Sequence, residues 1–199
     1  MTSTTPRPLD QPAAHQPGGM LRTVLRRWPT VAALGMTVLI VLDLSTGSDL
    51  APVLAASGFV YLGAAALKEP ATAWPLFWGI LLAILATERL VADSAATWVV
   101  LGLACLFVGY GLLSGAARPA DGLPLQAIAM IGFGILAVAA LLVSGDVGAY
   151  LVAAGLLGHA AWDVYHHRAN KVVARSLAEF CFILDTLVAL AMVAVALRG

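Results

Sequence analysis

The chain has 199 residues, 61% of them apolar and 11% charged, with a formal net charge of zero and a mean hydropathy of +0.92. Soluble domains hold about 45–50% apolar and about 25% charged residues, so a soluble globular fold is excluded. The balanced net charge says little, because a membrane sorts charges by side; no nucleic-acid partner is expected.

Residues 1–27 are rich in Pro, Thr, Gln and Gly without apolar periodicity, and read as a disordered cytoplasmic tail. His15 is a bystander there. Arg22, Arg26 and Arg27 precede the first apolar run in the manner of a signal peptide. Six more apolar runs follow under one charge rule, which argues against that reading.

A helix that crosses a bilayer needs about 20 mostly apolar residues, with a usable range of about 17–25. The sequence predicts seven such helices: Pro29 to Leu44, Leu50 to Leu67, Trp74 to Leu90, Ala95 to Leu113, Leu123 to Val143, Val147 to Tyr165, and Ser176 to Leu197. Pro29, Pro75 and Pro124 lie near starts, where the missing donor costs nothing. Ser-Thr-Gly-Ser, Lys-Glu-Pro, Arg-Pro-Ala-Asp-Gly and Ser-Gly-Asp make turn-like connections. Residues 28–199 therefore read as one all-α integral membrane domain.

Lys and Arg set the orientation. With the N-terminus in the cytoplasm, nine fall inside: Arg7, Arg22, Arg26, Arg27, Lys68, Arg118, Arg168, Lys171 and Arg175. Arg89 and Arg198 fall outside. An even number of spans would spoil this asymmetry, so the expectation is a multi-pass protein of the cell membrane, N-in and C-out. Trp28, Trp74 and Tyr165 at inner ends, and Trp98 and Tyr150 at outer ends, would form an aromatic belt.

"AASGFVYLGAA" in span two is similar to "VAAGLLGHAA" in span six. That pairs spans one to three with spans five to seven as a parallel repeat around span four. The positions matching His159 and Asp163 are then Leu62 and Ala66, which leaves the polar chemistry to the second half alone. Gly111 and Gly115 are spaced for close helix packing, a common pattern in an Ala- and Gly-rich chain. Cys105 and Cys181 both lie in apolar runs and read as small buried hydrophobes.

Ionisable residues inside a membrane cost about 2.5–3.5 kcal/mol each even on the lenient insertion scale, and they mark function. Asp185 sits in "CFILDTLVALAMVAVAL", about 13 Å below the inner end of span seven. His159 lies about 9 Å below the inner end of span six at Tyr165, so the two come to similar depths. Asp163 and Glu179 share a shallower level. His159, Asp163, His166 and His167 follow i, i+4, i+7 and i+8, one stripe of a helix. Such a stripe can hold a metal, relay protons or position an acid. Polar glue between helices is the bland reading of His159, Asp163 and Asp185. His166 and His167, beside Arg168, read as solvated or headgroup-facing residues on the cytoplasmic rim. Asp43 and Glu88 sit near outer ends, where capping or snorkelling explains them.

No lysine stands within span seven to form a retinal Schiff base, and no phosphate loop, His-Glu-x-x-His or Cys-x-x-Cys occurs. The "HAAWD" of residues 159–163 and the "EFCFILD" of residues 179–185 resemble small seven-helix integral-membrane terpene cyclases. In that family an intramembrane carboxylate lies in an Asn-x-x-Trp-Glu setting, in an early span. Here His159 and Asp163 replace Asn and Glu, and the motif falls in the sixth span. The resemblance implies that Asp163 and Asp185 are the acid and its partner, and the matched depths add His159 and Glu179 to the candidate catalytic group. Trp162, Tyr165 and Phe182 would shelter a migrating cation, as ring quadrupoles can.

Physical chemistry alone supports a related expectation. Two carboxyls in a low dielectric cannot both ionise cheaply, so one keeps a proton. A protonated acid in an apolar pocket suits acid–base work on a lipid-soluble, isoprenoid-like substrate without a cofactor. It also suits a small proton-coupled transporter, although spans two, four and five offer few polar groups for a through-path. A metal-dependent hydrolase built on His159, Asp163 and His166 or His167 is the third alternative. Homo-oligomerisation is compatible with all three.

Overall fold

The computed structural model describes residues 27–42, 50–143 and 145–198. Among them are seven α-helices and no strand: α1 (Trp28–Leu42), α2 (Ala51–Leu67), α3 (Ala73–Leu90), α4 (Asp93–Leu113), α5 (Leu123–Leu142), α6 (Asp146–Ala169) and α7 (Arg175–Ala196). Each falls on one predicted segment. The largest difference is at the end of α6, which runs four residues past Tyr165. Arg168 complements the dipole of that last turn, and Asn170 ends it in the left-handed conformation at φ 52°. The tail, the predicted end of span one and Asp43 lie outside the described residues.

Five helical segments are long and apolar enough to cross a membrane: Pro70–Leu90, Ser94–Leu113, Leu123–Leu142, Asp146–Ala169 and Arg175–Ala196. α1 and α2 are shorter, at 15 and 17 residues. Large side chains such as Leu106, Ile128 and Ile135 remain on the outside of the bundle. Exposed apolar surface on that scale marks a membrane protein.

The apolar composition of α2 decides its place. Every residue except Val53, Ser57 and Leu67 is buried. A helix that is apolar all round belongs inside, and its alanines and glycines let neighbours approach. α3, α4, α5 and α6 pack directly on it. A Cβ at Gly155 of α6 would meet Leu54, and one at Gly63 would meet Leu76 of α3.

α7 packs along α6, and α1 lies outside against α7. The surround closes through aromatic rings: Trp74 on α3 meets Trp28 on α1 at 5.2 Å and Phe180 on α7 at 5.3 Å. The Trp74 indole also donates to Ser176 Oγ at 3.0 Å.

Consecutive helices run antiparallel, so Lys68, Arg118 and Lys171 gather at one end, called here the basic end, around a cavity of about 260 Å³. Two contacts strap the connections there. Lys68 Nζ donates to the Ser114 carbonyl, and Lys171 Nζ donates to Asp121 Oδ2 at 2.6 Å. The Lys171 ammonium holds the Asp121 carboxyl below its ordinary range, and Asp121 raises Lys171 in turn.

Cys181 is buried as expected, whereas Cys105 is exposed on the outer face of α4. An apolar run locates a cysteine in the hydrocarbon phase but does not say which side of the helix it occupies.

Candidate functional site

The densest polar cluster described lies between α2, α6 and α7. His159 and Asp163 are one turn apart on α6, and the long α6–α7 contact brings Asp185 beside them. His159 Nδ1 is 2.8 Å from Asp185 Oδ2 and 3.3 Å from Asp163 Oδ2. Tyr61, from the middle of α2, donates its hydroxyl to Asp163 Oδ1 at 2.6 Å. All four side chains are buried. The shorter contact to Asp185 fits an Nδ1–H donor, which leaves Nε2 as the acceptor tautomer. Within this cluster two buried atoms keep no hydrogen-bond partner: His159 Nε2 and Asp163 Oδ2. Buried polar atoms are nearly always satisfied, so both mark places for a transferred proton or a ligand.

Aromatic rings wall the imidazole. Tyr61 and Phe133 meet it edge to face at 5.2 and 5.1 Å. Phe133 comes from α5, whose contact with α6 places it there.

A second polar chain lies nearer the basic end. His166 Nδ1 is 2.9 Å from the Trp162 carbonyl, so it donates there and Nε2 accepts from Gln126 Nε2 at 3.0 Å. The Trp162 indole donates to Gln126 Oε1 at 3.1 Å. The three assignments agree on one histidine tautomer and one amide orientation. His166 is therefore a buried, doubly bonded residue, which corrects its reading as a solvated rim residue. The stripe carried the reason: i+7 from His159 lies on the inward face of α6, whereas i+8 turns His167 toward the edge.

The remaining predicted residues divide between two flanks. Glu179 does not meet Asp163 by a hydrogen bond. Its carboxylate accepts from Thr30 Oγ1 at 2.7 Å and lies 3.6 Å from Arg27, fastening α1 to α7. Glu179, Asp163 and Phe182 line one cavity of about 310 Å³. Trp162 faces α5 instead, and Tyr165 is exposed beside it. A smaller, largely apolar cavity of about 50 Å³ reaches Asp185 between α2, α3 and α7.

Tyr61, Gln126 and Phe133 are absent from the sequence reading, which weighed ionisable residues. A tyrosine amid the alanines and glycines of span two was the available signal. The hydroxyl of Tyr61 also corrects the expectation that the polar chemistry comes from the second half alone.

His159, Asp163 and Asp185 offer ligand atoms within 4.8 Å of one another, enough for a three-ligand cation site. His166 does not join them, since both its nitrogens are engaged. A ligating histidine normally donates its other ring N–H to a supporting group. His159 Nε2 has none, and its Nδ1 lies at hydrogen-bond distance from a carboxylate. The geometry fits proton sharing better than ligation.

No family model, curated protein or solved structure matches the chain.

Proposed function

We propose that the protein is an intramembrane enzyme that applies acid–base chemistry to a lipid-soluble, isoprenoid-like substrate, in the manner of a terpene cyclase. One observation carries the reading: a buried imidazole held between two buried carboxyls, with Tyr61 fixing one of them. In this scheme seven helices cross the cell membrane with the N-terminus in the cytoplasm, and the basic end faces inward, as the gathered Lys and Arg residues favour.

Asp163 is the acid. Its Oδ2 gives a proton to an alkene, whose π pair takes it up, or to an epoxide oxygen, whose C–O bond then breaks with its electron pair going to oxygen. The resulting carbocation closes its ring and then loses a different proton to His159 Nε2. The Nδ1 hydrogen passes to Asp163, which restores the acid, and exchange with water then removes the Nε2 hydrogen and returns one to Nδ1, so that the histidine starts the next cycle in its original tautomer. Asp185 orients the imidazole, as the buried aspartate of a hydrolase triad does. Proton gain and loss cancel, so the product is an isomer of the precursor. Tyr61 and Phe133 offer ring quadrupoles to the cation.

The test compares organic extracts of hosts that express the wild type or Asp163→Asn at matched membrane levels, fed prenylated alcohols and epoxides. The expected result is an isomeric product with the wild type only. Equal product from the variant contradicts the assignment of Asp163. Divalent metal copurifying in stoichiometric amount, and lost in Asp163→Asn, contradicts the proton-sharing scheme.

A further inference from the structure

The cavity of about 310 Å³ between α1, α6 and α7 is polar at both ends. At its deep end is Asp163, whose Oδ2 is buried and has no hydrogen-bond partner. At its mouth, near the basic end, stand Arg27, His167 and Arg168. Phe182 and Ile183 form an apolar wall between.

The charges at the mouth are not equally available. Glu179 lies 3.6 Å from Arg27 and so offsets it. Among the described residues no carboxylate pairs with Arg168. α1 and α7 both begin at this mouth, Thr30 and Ala178 lining it from their first turns, so the positive ends of two helix dipoles point the same way. A guanidinium beside helix N-termini suits a phosphate-type anion.

The axial rise from Asp163 to Arg168 is about 7.5 Å. That separation fits one isoprene unit between a head and a reacting carbon. The volume lies at the small end of ligand sites, about 300–1,000 Å³, so it takes the head and the first carbons and leaves the chain in lipid.

Building on the acid–base reading, we infer that this cavity binds an amphiphile with a phosphate-type head on Arg168 and a reactive carbon beside Asp163. An anionic-headed isoprenoid is therefore the substrate class, in preference to a neutral one.

The experiment measures binding to full-length protein in phosphatidylcholine nanodiscs, corrected for partition into empty discs. The probes are farnesyl phosphate, farnesol and inorganic phosphate. The wild type should prefer farnesyl phosphate over farnesol by about tenfold or more, the scale of one charge-assisted hydrogen bond. Arg168→Ala should abolish that preference without weakening farnesol, and Arg168→Lys should keep part of it. Asp163→Asn should still bind the phosphate. Equal binding of phosphate and alcohol by the wild type overturns the inference, as does a preference that Arg168→Ala leaves intact. Displacement by inorganic phosphate as effective as by farnesyl phosphate also overturns it, because the site would then hold free anion. The two proposals fail separately. Loss of the anion preference leaves an Asp163-dependent turnover of neutral precursors untouched, and full activity of Asp163→Asn leaves the anion preference untouched.

Discussion

Tyr61 shows how a single uncharged residue governs the cluster. Its hydroxyl occupies Asp163 Oδ1 and leaves Oδ2 as the open oxygen. Tyr61→Phe keeps the ring against His159 and His166 and removes only that donor. Hydrogen bonds to charged groups contribute about 1.5–3 kcal/mol, so turnover should fall by about ten- to a hundredfold while the protein still inserts. Rates of product accumulation in membranes at equal protein level measure this, and an unchanged rate would separate Tyr61 from the chemistry. The sequence exposed His159, Asp163 and Asp185 because ionisable groups in apolar runs stand out. It did not expose Tyr61, Gln126 or Phe133, because an aromatic or amide residue in a membrane helix costs little and has many bland uses. Nor could it orient Glu179. Depth along a helix is countable from residue number, whereas rotation depends on which neighbour packs where, and α1 claimed Glu179 through Thr30 and Arg27.

Helix existence was legible for a simpler reason. In a bilayer the backbone must satisfy itself, so each apolar run had one available structure. Prolines and turn residues then fixed the limits, apart from the polar end of α6, where hydropathy falls before the helix stops. Packing was less legible, because α2 reads as an ordinary span and proves to be the central helix of the bundle. The small residues that surround it carry a testable consequence. A Cβ at Gly111 of α4 would lie 2.6 Å from Leu123 Cδ2 and 3.2 Å from the Ala66 Cα. Leucine can move, but the α2 backbone cannot without disturbing its other neighbours. Gly111→Ala should therefore destabilise the bundle by about 1–3 kcal/mol, the usual cost of overpacking. Gly132→Ala meets nothing within 4 Å and serves as the neutral control. Thermal unfolding in detergent reads the difference, and equal stability of the two variants would contradict the packing of α4 on α2.

At the scale of the whole molecule, the proposed topology makes a plain demand. The basic connections belong on the cytoplasmic face and the start of α6 on the other. In intact cells a membrane-impermeant maleimide should label Val147→Cys and spare Lys171→Cys in a Cys105→Ala background, with both labelled after lysis. Cys181 is buried and should stay silent throughout. The reverse pattern would invert the orientation, and labelling of both in intact cells would remove a span.

The central claim is that Asp163 delivers a proton to the substrate, and the most direct measurement repeats the extract comparison in deuterated water. With an alkene precursor that carries no epoxide, the acid–base scheme predicts a product that is isomeric with its precursor in ordinary water and that gains one carbon-bound deuterium per molecule in deuterated water. The product should be absent from Asp163→Asn membranes. A product without deuterium, or one made equally by Asp163→Asn, would contradict it.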